Sequence, residues 1–167
     1  MSFQVSKQFG DLAEKLVAAY LAACGIESEH SGKNPDYDLL CKLGRTKFTI
    51  ECKFDLKSET TNNLCIEVYN PKSDKPSGIT ASKADLIVFV LPDGSNRTLW
   101  AASLFELRKF LSEVPPKKVI EVGGDKNATL HLYDVFTILD AVFHRLDVLD
   151  CKQAQKLVRT LLKCGES

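Results

Sequence analysis

Two aspartates stand in Pro35-Asp36-Tyr37-Asp38-Leu39-Leu40, and a hairpin's length later comes Ile50-Glu51-Cys52-Lys53. Successive side chains on a strand point to opposite faces, so Glu51 and Lys53 share a face and Cys52 takes the other. Between the two segments lies Cys41-Lys42-Leu43-Gly44-Arg45-Thr46-Lys47-Phe48, in which Gly44 is the turn signal of a β-hairpin. A loop of Gly44-Arg45 pairs Leu43 with Thr46 and sets Asp38 opposite Glu51. A loop of Gly44 to Lys47 pairs Leu43 with Phe48 and sets Asp38 opposite Lys53. Residues directly opposed in an antiparallel pair share a face. Both registers therefore gather Asp38, Glu51 and Lys53 into one cluster; a three-residue loop breaks it.

Carboxylates at short range repel each other unless a proton or a hard cation sits between them. Mg²⁺ or Mn²⁺ suits that place, bound by one or two carboxylates together with waters and phosphate oxygens. Such an ion lowers the pKa of a bound water and neutralises charge on a phosphoryl oxygen, while the Lys53 ammonium orients the water or stabilises the transition state. The chemistry implied is metal-assisted hydrolysis of a phosphodiester. Lys53→Ala is expected to spare the fold. The plainer alternative is a solvated acidic edge with a cross-strand Glu–Lys pair, worth little. Strands otherwise built of Leu, Ile, Phe and Cys weigh against it.

With these residues the chain resembles the PD-(D/E)XK nuclease superfamily, the fold of many restriction endonucleases, resolvases and phage or repair nucleases. Pro35-Asp36 or Tyr37-Asp38 resembles the PD half-motif, and Glu51-Cys52-Lys53 matches the (D/E)XK half. Gly10-Asp11-Leu12-Ala13-Glu14 is similar to a first helix in which a Gly precedes a site-lining Glu. Thr61-Asn62-Asn63-Leu64-Cys65-Ile66-Glu67 resembles the next strand of phage-type and resolvase-like members, and Pro76-Ser77-Gly78-Ile79 with Lys83-Ala84-Asp85 the segment after it. These matches span residues 7–101.

The resemblance implies an α/β fold, a mixed sheet flanked by helices, and an endonuclease that cleaves DNA with Mg²⁺ or Mn²⁺, RNA being left open. It makes Asp38 and Glu51 the metal ligands, adds the Cys52 backbone carbonyl and Glu14, and gives Lys53 the catalytic role. Asn63, Glu67 and Lys83 are substrate-side candidates. Hairpin counting favours Asp38 as the ligand, with Asp36 the alternative. A different class of function, a nucleic-acid-binding or assembly protein on a nuclease-like fold without cleavage, stands beside it.

The elements that must hold this cluster follow from periodicity. Leu12, Leu16, Ala19, Tyr20 and Ala23 predict an amphipathic helix over 7–24, stopped by Gly25, with Glu14 at the margin of the stripe. Residues 27–34 are polar, with Ser31-Gly32-Lys33-Asn34 as a loop before the hairpin. Strands are predicted over 37–43, 47–54 and 64–70, and a mobile Lys/Ser/Pro/Gly loop over 70–80. A short helix or turn then leads to the apolar run Asp85–Leu91, expected of a buried strand. Another short strand covers 98–101. Ser103 with Glu106 predicts a capping box for a helix to 113, ended by Pro115-Pro116. Short strands at 118–122 and 129–133 flank Gly123–Asn127, which lacks phosphate-loop spacing and is read as a turn. From 134 to 164 the chain is predicted largely helical, with one stripe of Phe136, Leu139, Val142, Phe143 and Leu146 and a second of Leu157, Val158, Leu161 and Leu162.

At 167 residues the chain fits one domain, a nuclease-like core over 7–101 with a strand and helical extension over 102–167. Its 44% hydrophobic and 26% charged content suit a soluble protein, and the polar start and lack of a long apolar run suggest the cytoplasm and no membrane partner. Six cysteines show no zinc spacing and are read as reduced core residues. A net charge of zero opposes tight, extended DNA binding. The apolar helical stripes beyond residue 134 suggest a homodimer.

Overall fold

The computed structural model describes residues 3–32, 34, 36–123 and 127–165. Helix α1 (Phe3–Ala23) is followed by strands β1 (Glu27–His30), β2 (Leu39–Leu43) and β3 (Thr46–Phe54), the short helix α2 (Ser58–Thr61), and strands β4 (Asn63–Asn70) and β5 (Lys75–Pro76). A 3₁₀ turn (Gly78–Thr80) leads to β6 (Leu86–Asp93), β7 (Asn96–Ser103) and α3 (Leu104–Glu113). Strands β8 (Lys118–Val122) and β9 (Ala128–Asp134), helix α4 (Val135–Val142), strand β10 (His144–Arg145) and helix α5 (Cys151–Cys164) complete the chain.

The strands make two sheets. The larger runs β1-β2-β3-β6-β7-β10, the smaller β5-β4-β9-β8. Among the described residues only β3 and β6 pair in parallel; the other pairings are antiparallel. The fold is thus α/β with a mixed sheet flanked by helices. The strand bearing Glu67 does not extend that sheet but opens the second one.

Two hydrophobic cores form on opposite faces of the larger sheet. The first joins Ala13, Val17 and Leu21 of α1 to Phe48, Ile50 and Cys52 of β3 and to Val158 and Leu161 of α5. The second joins Leu64 and Ile66 of β4 to Leu104 and Leu107 of α3 and Ile138 of α4. Strand β6 divides its residues between them: Leu86, Val88 and Val90 enter the first core, Ile87, Phe89 and Leu91 the second. That double burial is why its sequence reads as an unbroken apolar run.

Several expectations need correcting. Residues 27–30, for which the sequence predicts no strand, form an edge strand, since a strand with no buried face has no apolar alternation to display. The 70–80 segment is partly organised by β5 and the 3₁₀ turn. Ser103 occupies the N-cap of α3 but makes no side-chain cap; the Leu104 amide bonds the Asp85 carbonyl oxygen instead, at 3.0 Å. The stretch after 134 is broken by β10, so its first stripe never forms. Leu139 and Phe143 belong to the second core, Leu146 to the first, and Phe136 is 71% exposed. Helix α5 joins α1 on one face of the larger sheet. Cys151 is exposed rather than core. Pro35 and residues 124–126 of the glycine-rich loop lie outside the described residues. No helix among the described residues is long and apolar enough to cross a membrane.

Candidate functional site

The hairpin adopts the shorter of the two possible loops. Leu43 pairs with Thr46 and the ladder runs on to Leu39 with Ile50. Gly44 has φ of +64°, the left-handed conformation that a two-residue turn asks of its first position. One step beyond the ladder Asp38 comes opposite Glu51, its amide donating to the Ile50 carbonyl oxygen at 3.0 Å. Its carboxylate turns back onto β3, where Oδ2 accepts from the Cys52 amide at 2.7 Å. Glu51 and Lys53 pair with Ile87 and Phe89 of β6, on the face of the second core. Cys52 faces the first core, as alternation requires.

Glu51 is 8% exposed, and each of its oxygens is engaged. Oε1 lies 2.5 Å from Lys53 Nζ, and Oε2 accepts from the Ser82 hydroxyl at 3.1 Å. Burial is the largest cause that pushes the Asp38 pKa up to about 6; the negative charges of Glu51 and Glu14 add to it, while the Cys52 amide and Lys53 oppose it. For Lys53, burial works against the ammonium. The charge and hydrogen bond of Glu51 outweigh it, with Asp38 and Glu67 adding, so its pKa lies above the ordinary lysine value. The site is a pair of crowded carboxylates beside a lysine that stays charged.

Glu14 contributes at the edge of this cluster. Its Oε2 lies 2.9 Å from His30 Nδ1, across from α1 to β1. Asp36 looks elsewhere. Its carboxylate sits 3.2 Å from Lys83 Nζ, and its carbonyl oxygen accepts from the Lys83 amide at 2.9 Å. Of the two aspartates it is Asp38 that meets Glu51. Lys83, tied to Asp36, remains largely exposed beside the cluster. Glu67 reaches the site from the second sheet, lining with Lys53, Asp55 and Cys65 a cavity of about 160 Å³. Asn63 does not join them: its side-chain amide donates to the Thr61 carbonyl oxygen at 2.8 Å, within the turn that enters β4.

Three contributors carry no signal in the sequence pattern. Ser82, 4% exposed, holds Glu51 from 31 residues away. Arg108 of α3 fixes the segment that carries Ser82, donating from Nε and Nη2 to the Ile79 carbonyl oxygen at 3.1 and 2.8 Å and to that of Ser82. Asp55 accepts from the Lys57 amide at 3.0 Å and the Cys65 amide at 2.8 Å, binding the end of β3 to β4. A polar residue whose partner lies in a distant segment leaves no periodic trace.

Among the described residues no group of three or more His, Cys, Asp and Glu side chains stands ready to hold a metal ion. The hard-oxygen donors that meet here are the carboxylates of Asp38 and Glu51, a set that suits Mg²⁺ or Mn²⁺, which keep several of their waters, and not a fully caged ion. The raised proton affinity of Asp38 is what a cation between the carboxylates would relieve. No family model matches this chain, and neither the curated proteins nor the solved structures contain a match to it.

Proposed function

We propose that Asp38, Glu51 and Lys53 form the catalytic centre of a PD-(D/E)XK-type endonuclease that hydrolyses phosphodiester bonds of DNA. The observation that carries this reading is the meeting of Asp38 with Glu51 at the mouth of β2 and β3, with Lys53 bonded to Glu51 at 2.5 Å. Asp38, Glu51 and the Cys52 carbonyl would hold Mg²⁺ or Mn²⁺, with Glu14 at the margin. Once bound, the ion supplies an acidified water and a counter-charge for the phosphoryl oxygens. Lys53 keeps its proton and sets a fixed positive charge where negative charge develops. Ser82 restrains the rotation of Glu51, so the carboxylate is oriented before substrate arrives. The exposed Lys83 ammonium is the nearest free side of the cluster for a phosphate contact, and the neutral chain suits a short footprint on DNA.

A second reading has its own support. Lys53 closes on one oxygen of Glu51 and no three-residue metal group is present among the described residues, which favours a domain that binds nucleic acid without cutting it. Calorimetry with Mn²⁺, followed by incubation in Mg²⁺ with linear, flap, junction and plasmid DNA, separates the two. Cleavage is expected, with Asp38→Ala, Glu51→Ala and Lys53→Ala each lowering it by about two orders of magnitude or more. Cleavage that survives all three substitutions overturns this centre. DNA binding with no uptake of Mn²⁺ favours the second reading.

A further inference from the structure

At the C-terminal end of α1, two cysteines meet from distant parts of the chain. Cys24 follows the last residue of α1 and Cys151 opens α5. The Cys151 thiol donates to the Ala23 carbonyl oxygen at 3.3 Å, and the Gln155 side chain, one turn further along α5, donates to the Cys24 carbonyl oxygen at 2.7 Å. These two bonds clamp the start of α5 onto the end of α1 and set the Cys151 thiol against the last turn of α1, beside Cys24, close enough for the two thiols to act on each other. Tyr20 lies on the same side, its hydroxyl donating to the Leu146 carbonyl oxygen at 2.7 Å.

We infer that Cys24 and Cys151 are a modification site, a dithiol that a peroxide converts reversibly to a disulfide. Their exposures divide the roles. Cys151 is exposed and meets the oxidant; Cys24, 4% exposed, waits behind it. The Cys151 thiolate attacks one peroxide oxygen, the O–O bond breaks, and the other oxygen leaves as water or an alcohol once protonated. The Cys151 sulfenic acid so formed is attacked by the Cys24 sulfur, which loses its proton as hydroxide leaves and becomes water. Two thiols lose two electrons and two protons, and the peroxide gains both. A dithiol reductant reverses the step by exchange.

The remaining cysteines do not share this arrangement. Cys41 and Cys52 are sealed in the first core, at 1% and 5% exposure. Cys164 is half-buried, with its thiol on the Thr160 carbonyl oxygen at 3.5 Å. The new bond would tie the end of α1 to the start of α5 and enclose both sheets within one covalent loop, so its effect reaches beyond the local contact.

The test uses the full chain with one equivalent of hydrogen peroxide, followed by intact mass and a non-reducing digest. The mass is expected to fall by about 2 Da through loss of two hydrogens, with one linked Cys24–Cys151 peptide, all reversed by dithiothreitol. The melting midpoint is expected to rise by about 5 °C or more. Cys151→Ser abolishes the linked peptide; Cys164→Ser leaves it in place. A gain of oxygen on Cys151 with no linked peptide, a link through Cys164, or a link between two chains overturns the inference. A Cys24–Cys151 link that leaves the midpoint unchanged overturns its role as a staple of the fold.

Discussion

An aspartate whose pKa rises from 3.8 in the unfolded chain to about 6 in the fold binds its proton more tightly when folded. Its contribution to stability is then fully present below pH 4 and is lost as the pH climbs through 6, where the half-buried carboxylate must ionise beside Glu51 and Glu14. Allowing for partial exposure, the loss is about 1–2 kcal/mol. Asp38→Asn is therefore expected to be more stable than the parent by about that amount at pH 7.5 and equal to it near pH 4, read by urea denaturation across the range. A gap that does not change with pH would show that Asp38 ionises freely. Lys53 behaves differently from its sequence-based expectation. Its ion pair with Glu51, whose side chain is only 10% exposed, predicts a cost to the fold where the sequence alone predicts none. Lys53→Ala is expected to cost about 1–3 kcal/mol at pH 8, and Glu51→Gln with Lys53→Ala to recover most of it in a double-mutant cycle. Asp38, Glu51 and Lys53 were legible from strand alternation and the Gly44 turn alone. Ser82 was not, since its bond to Glu51 depends on how β6 docks beside β3.

At the scale of elements, the segment between β4 and β6 joins the two sides of the site. Gly78 begins its 3₁₀ turn with φ of +52°, and a Cβ there would lie 2.5 Å from the Glu67 carbonyl oxygen and 2.7 Å from the Glu67 Cβ. Only a residue without a side chain lets the 3₁₀ turn sit that close to β4. Gly78→Ala is expected to cost about 2 kcal/mol or more and to loosen Ser82 from Glu51. Gly10, inside α1 with nothing within 4 Å of its would-be Cβ, supplies the contrast. Gly10→Ala is expected to gain about 0.5–1 kcal/mol, and denaturant melts of the two variants side by side check both signs. Elements with one buried face and one open face, such as α1 and α5, were readable from their periods. The polar edge strand β1 was not, and neither was the end of α4, where the chain leaves the helix at Phe143 to pair β10 with β7.

For the whole molecule, the second sheet is the largest departure from what the sequence suggests. Periodicity marks β4, β8 and β9 as strands but carries nothing about which neighbours they choose. The two cores consume the apolar surplus that pointed to a homodimer. Phe143 and Leu161 are 5% and 4% exposed and Leu157 packs against the first core, which leaves Phe136 as the one exposed member of that set. Light scattering at micromolar concentration is accordingly expected to read a single 18.5 kDa chain; a particle of twice that mass would mean that Phe136 and its surroundings bury more than they show. Strand β6 has a consequence of its own. Because its alternate residues anchor two separate cores, neither layer melts while the other stays intact. The molecule loses its shape in one step, and damage done by a substitution beneath α5 is registered in the second sheet, on the far side of the strand they share.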